Sequence, residues 1–116
     1  MTDTRKAWQS IPLFQYEDFD SFMKSFPKGA SLTGIELSSK SKPLSQFKHP
    51  LRGIYLLGAE DDGLPIEIQR KCDHIVEISG ASFCLNVSVS GSIVIYDRLA
   101  KLEAGDFDSL GPKKMR

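Results

Sequence analysis

Charge of one sign is what this chain most plainly lacks: fifteen basic and fifteen acidic residues cancel to a formal net charge of +0. That excludes a protein that gathers nucleic acid through a global positive field, so any polyanion must meet a local patch or a partner chain. Cysteine is scarce as well. Cys72 and Cys84 match no metal-ligand spacing and read as reduced thiols of an intracellular protein rather than as a disulfide framework. No apolar run approaches the roughly 20 residues of a membrane span, and Met1-Thr2-Asp3-Thr4-Arg5-Lys6 has no apolar stretch behind it to form a signal peptide. The expectation is a cytoplasmic protein without membrane or metal.

What is present, 116 residues, suffices for one domain with a modest core. The stretch that organises it is Gly53-Ile54-Tyr55-Leu56-Leu57 followed by Gly58-Ala59-Glu60-Asp61-Asp62-Gly63-Leu64-Pro65. An apolar strand that empties into glycines, acids and a proline places backbone where a parallel sheet keeps its binding crevice. Pro65 suits the first position of a helix, and acids just before it lie near that helix's positive end. A strand-to-helix turn with solubilising acids fits the same residues equally well.

Upstream, Ile11-Pro12-Leu13-Phe14 reads as an edge strand or an extended entry. Phe19, Phe22, Met23 and Phe26 recur at helical spacing, with Glu17, Asp18 and Asp20 at the start, Lys24 near the end, and Pro27 and Gly29 as the stop. This phenylalanine stripe reads as core packing. Ser31 to Leu37 is a strand, and Ser38-Ser39-Lys40-Ser41-Lys42-Pro43 a polar loop whose lysines suit solvent or a phosphate backbone. His49, beside Pro50, reads as a loop residue.

Pro65 to Cys72 suits a short helix and His74 to Ile78 a strand. Strand, helix and strand in succession imply a right-handed crossover and a parallel pair, so the fold class is α/β, a parallel sheet with flanking helices. Ser79-Gly80-Ala81-Ser82 then forms a loop at the same sheet edge as Gly58 to Leu64. From Asn86 to Leu99 two periods compete. Val87, Val89, Ile93 and Ile95 alternate as in a hairpin, whereas Val87, Gly91, Val94, Arg98 and Leu102 repeat as in a helix, and periodicity alone slightly favours the hairpin.

Two of these loops carry a family resemblance. Gly58, Glu60, Gly63 and Leu64 match the Gly-x-Glu-x-x-Gly-Leu motif of SpoU/TrmH-type RNA ribose 2'-O-methyltransferases of the SPOUT superfamily. Leu85-Asn86-Val87-Ser88-Val89 matches the family's last motif, with Cys84 where serine is usual, and Tyr96-Asp97-Arg98-Leu99 resembles its common ending. The resemblance is close over residues 50–101 and looser over 3–14. It implies that residues 87–103 are helical, that the sheet edge is tied in a trefoil knot, and that S-adenosylmethionine is held in loops 57–64 and 76–86.

The cofactor shell implied by the resemblance is Leu57, Gly58, Val76, Ile78, Cys84 and Leu85, with Glu60 and Asn86 ordering the site and the substrate ribose. The implied activity is ribose methylation of tRNA or rRNA by a homodimer joined through the small-residue helix near Gly91 and Ser92. Residues 1–105 form the methyltransferase domain in this reading and 106–116 a flexible tail. The family's first motif, with its asparagine, glycine and arginine, has no counterpart here. Asn86 is the only asparagine. The fold is therefore expected to be shortened at the amino terminus, and the alternative is a non-catalytic remnant that dimerises or binds RNA.

Overall fold

The computed structural model describes residues 11–59, 62–79 and 86–114. The first helix, α1, runs Phe19–Lys24; Asp18 precedes it in extended conformation, and its carboxylate accepts the Ser21 N–H at 2.8 Å. That cap satisfies one of the donors a helix start leaves unpaired. No residue of α1 is fully buried. Its rings stack on one another instead, Tyr16 with Phe22 at 5.4 Å and Phe22 with both Phe19 and Phe26 at 6.0 Å. The phenylalanine stripe thus forms a satellite cluster and not the main core. Ile11, Leu13 and Phe14 form no strand and are exposed.

The strands are β1 Ser31–Ile35, β2 Lys42–Pro43, β3 His49–Pro50, β4 Gly53–Leu57, β5 His74–Glu77 and β6 Phe107–Asp108. A 3-10 turn, Leu44–Gln46, follows β2. Four strands form one parallel sheet in the order β2-β5-β1-β4. The sheet is parallel as expected, but β4 and β5 are not neighbours, because β1 runs between them and pairs with both. β2 lay inside what the sequence reads as a loop. Its proline sits on the sheet's edge, where a missing N–H breaks no ladder.

The central strand is the most deeply buried. Ser31, Leu32, Thr33 and Gly34 are all shielded, as expected of a strand covered on both faces. Because side chains alternate along a strand, Ile35 and its register partner Val76 face one side, and Gly34 and Ile75 the other. On the first side Val76 packs with Leu44, Phe47 and Val94, supported by Ile35, Tyr55 and Ile78. On the second side Leu64, Cys72 and Ile75 crowd Gly34 so closely that a Cβ there would sit 3.0–3.1 Å from each.

Helix α2, Ile66–Gln69, is shorter than the sequence suggests, and Pro65 stands at its cap, one step before the first helical position. Helix α3 spans Val87–Glu103. The tertiary environment explains why helix prevails over the alternating pattern: Val94 is 1 % exposed against the sheet, a burial that stabilises by about 2 kcal/mol. Gly91 also turns inward, its missing Cβ 3.9 Å from Leu57 Cδ2. It is therefore not on the outward face where a helix partner was expected; Ser92 is exposed there. Within the segment read as a tail, β6 pairs in parallel with β3, and the Lys114 N–H donates to Asp73 Oδ1 at 2.8 Å.

Candidate functional site

The loop after β4 owes its shape to two glycines. A Cβ on Gly58 would lie 2.2 Å from the Gly63 carbonyl carbon and 2.5 Å from Leu64 N, so only glycine lets the two backbone segments meet. Gly63 has φ +66°, a left-handed conformation that L side chains seldom adopt. Its N–H donates to the Ala59 carbonyl at 2.9 Å and closes the loop. The spacing of the glycines is thus the spacing of a self-locking turn.

Glu36, just past the end of β1, braces that turn. Its Oε1 accepts the Leu64 N–H at 2.6 Å, and a Cβ on Gly63 would come within 2.2 Å of the same oxygen. Leu64, 6 % exposed, plugs the loop into the core beneath. Gln69 Nε2 donates to the Leu64 carbonyl at 2.8 Å and ties the loop to α2. Sequence reasoning missed Glu36; the available signal was an acid placed where an apolar strand opens into a polar loop.

The ends of β4 and β5 stand level with each other. Ile35 is the register partner of both Leu57 and Val76, so these two lie at one height with a single strand between them, about 10 Å apart. Leu57, Gly58 and Ile78 are half-buried at this edge. Val76 is fully buried, and its carbonyl accepts the Glu36 N–H at 2.9 Å. Asn86 caps α3: its side-chain oxygen accepts from Ser88 N–H at 2.8 Å and Val89 N–H at 3.4 Å. Glu60, Cys84 and Leu85 lie outside the described residues. The arrangement is a sheet edge with one glycine-locked loop, at which Leu57 meets α3 at Gly91.

Behind this edge runs a buried polar chain that the sequence reading also missed. His49, taken from the sequence as a loop residue, is 0 % exposed. Its Nδ1 lies 2.6 Å from the Tyr55 hydroxyl and its Nε2 2.7 Å from Asp97 Oδ2. Arg98 donates to the Tyr55 hydroxyl at 3.0 Å and to the Pro50 and Leu51 carbonyls, and Lys101 donates to Leu44 and Phe47 carbonyls and pairs with Asp97 at 2.8 Å. Burial pushes the His49 imidazole below its ordinary pKa and outweighs the Asp97 carboxylate, with Lys101 and Arg98 acting in the same direction as burial. Burial also raises the Tyr55 phenol.

No helix among the described residues is long and apolar enough to cross a membrane, and no described group of three or more His, Cys, Asp or Glu side chains is placed to hold a metal ion.

Known proteins resemble the chain in sequence and in architecture. The chain is 35 % identical over 72 residues to the tRNA (guanosine(18)-2'-O)-methyltransferase TARBP1 of Mus musculus, an alignment covering 60 % of this chain and 5 % of that much longer protein. It resembles a structure from work on 2-OH methylation of C/U34 on tRNA, with TM-score 0.66, 23 % identity, and 77 % of this chain against 59 % of that one. It also resembles a candidate RNA methyltransferase of Bacillus anthracis, with TM-score 0.70 and 21 % identity over 93 % of this chain and 75 % of the other. At those identities the two structures establish a shared α/β fold. The sequence model of the SpoU rRNA Methylase family matches residues 2–96. A match over that much of the chain makes this protein a member of the SpoU rRNA methylase family.

Proposed function

We propose that the chain forms an S-adenosylmethionine-dependent RNA ribose 2'-O-methyltransferase domain acting on tRNA or rRNA as a homodimer in the cytoplasm. The observation that carries this reading is the loop from Gly58 to Leu64, locked by its own glycines and by Glu36, level with the end of β5. The expected trefoil knot, with the chain threaded through loops 57–64 and 76–86, belongs to the same reading.

The residues present suit the cofactor. Leu57 and Ile78 offer half-buried apolar side chains next to the exposed residues Ala59 and Ser79, and an adenine ring requires an apolar wall together with a few polar groups. Leu57, Gly58, Ile78, Cys84 and Leu85 would hold it. Val76, with its side chain in the core and its carbonyl given to Glu36, would support the wall from behind. When bound, the cofactor supplies an activated methyl group for a ribose oxygen. The chain's own contribution is positioning: Glu60 and Asn86 orient the ribose, and the locked turn keeps the donor loop rigid so that little reorganisation is needed at reaction.

The homodimer in this reading uses α3, though on a different face from Gly91. Val89, Ile93, Tyr96 and Leu99 recur at helical spacing and are 46 %, 37 %, 73 % and 55 % exposed, an apolar stripe on the side away from the sheet.

Transfer of tritium from methyl-labelled S-adenosylmethionine to total tRNA and rRNA tests the proposal. Label recovered as 2'-O-methylnucleoside supports it. Binding of RNA or dimerisation with no transfer under any donor concentration favours the non-catalytic remnant.

A further inference from the structure

The chain's charges cancel, yet five of its fifteen cations gather around one cavity. Lys40, Lys42, Arg70, Lys113 and Lys114 line a cavity of ≈ 490 Å³ at the β2 edge of the sheet. They come from four places: the β1–β2 loop, β2 itself, the end of α2, and the segment after β6. All five are exposed, and among the described residues none forms an ion pair. A sequence run of basic residues is usually a solvated face; convergence from four segments onto one cavity is a property of the fold.

Among the described residues the only acid in the lining is Asp73. Its carboxylate accepts two backbone donors, Leu32 N–H at 2.7 Å and Lys114 N–H at 2.8 Å, so one acid stands among five cations. His74 also lines the cavity; its pKa is lowered first by burial and then by Lys113, against Asp73 and Asp108, which raise it, and with Lys42 lowering it further. Ser38 and Ser39 add hydroxyl groups to the same wall. Leu57, Gly58, Val76, Ile78 and Asn86 are not in the lining, so this is a second surface.

We propose that this basic cavity binds the phosphodiester backbone of the RNA substrate and holds it in register while a distant nucleotide reaches the strand-end site. The choice of RNA among polyanions rests on the methyltransferase reading above. Lysines and a single arginine around an open cavity act as point charges toward phosphate and carry no base information. Recognition at this surface is therefore independent of sequence and strongly salt-dependent.

Fluorescence anisotropy of a labelled single-stranded RNA, titrated with the full chain at several salt concentrations and without methyl donor, tests the inference. Lys40→Gln, Lys42→Gln and Lys113→Gln together are expected to weaken binding about tenfold or more and to reduce the salt slope by about 2, near 0.7 per lost phosphate contact. Lys24→Gln, Lys28→Gln and Lys48→Gln remove the same charge elsewhere and are expected to change it less than threefold. Equal loss in both triple variants, no loss in the first, or no RNA binding by the wild type overturns the assignment. So does displacement of the RNA by poly-glutamate more effectively than by unlabelled RNA, which assigns the cavity to an acidic protein segment. S-adenosylmethionine titration of the same variants reads the other site. Donor binding with an unaffected RNA isotherm defeats only the cavity, whereas groove-dependent RNA binding without donor binding or transfer defeats only the enzyme reading.

Discussion

His49 Nε2 and Asp97 Oδ2 stand 2.7 Å apart, joining a two-residue strand to the middle of the long helix. A carboxylate only accepts, so Nε2 carries the proton, and Nδ1 accepts from the Tyr55 hydroxyl, which itself receives an Arg98 N–H. Every donor finds an acceptor when the imidazole is neutral. A second ring proton would face the tyrosine hydroxyl, and the chain would lose that match.

Stability should therefore depend on pH in a fixed direction. The His49 and His74 pKa values are both lowered in the folded state from an ordinary 6.5. Their contribution is complete above that value and is lost as pH falls through the depressed folded values, because the unfolded chain binds more protons there. Urea midpoints measured from pH 8 to pH 5 should hold steady above neutrality and fall below about pH 6.5. His49→Gln should flatten part of that fall.

Breaking the chain at its acid should cost more than a surface ion pair. Asp97→Asn leaves Lys101 and His49 with a poorer acceptor in a part-buried place, and a loss of about 1–3 kcal/mol is expected by chemical denaturation.

The locked turn makes its own prediction. Gly58→Ala forces a Cβ into the Gly63 backbone and should destabilise by about 3 kcal/mol. Gly105→Ala, with φ +76° but nothing within 4 Å, should cost only about 1 kcal/mol. Thermal melts of the two variants side by side separate steric clash from backbone strain.

Much of this turn was legible in the sequence because glycine, glycine and proline at fixed spacing state a backbone requirement directly. The length of α3 was legible only through family resemblance, since Val87, Val89, Ile93 and Ile95 satisfy a strand's period as well as a helix's, and packing of Val94 decides between them. Glu36, His49 and Asp97 were not legible: each acts through a partner far along the chain, and no local pattern announces a hydrogen bond spanning 28 or 48 residues. The basic cavity was half visible, in Lys40 and Lys42, but Arg70 and Lys113 join it only through the tertiary fold.

Asn86 can be dissected by chemistry. Asn86→Ala removes the α3 cap and should cost about 1 kcal/mol, whereas Asn86→Asp keeps an oxygen for the Ser88 and Val89 N–H groups and exchanges the amide donor for a charged oxygen that suits a helix start. If Asn86 orients the ribose, the aspartate variant should melt like wild type yet transfer methyl at least tenfold more slowly, as loss of a positioning hydrogen bond of about 1.4 kcal/mol implies. Wild-type rates in that variant would reduce Asn86 to a cap.

Thr33 offers a case in which removal of a polar group helps. It is 0 % exposed, and its hydroxyl has no partner among the described residues. Thr33→Val is expected to be neutral or to stabilise by up to about 1 kcal/mol, read from the urea midpoint.

The central claim is that the strand-end crevice beside Gly58 holds a methyl donor, and isothermal titration of the folded wild-type chain with S-adenosylmethionine measures it most directly. The account predicts saturable binding at one site per chain, abolished by a charge placed at the apolar wall in Ile78→Glu. A folded sample that releases no heat of binding and shows no donor-dependent rise in melting temperature contradicts it.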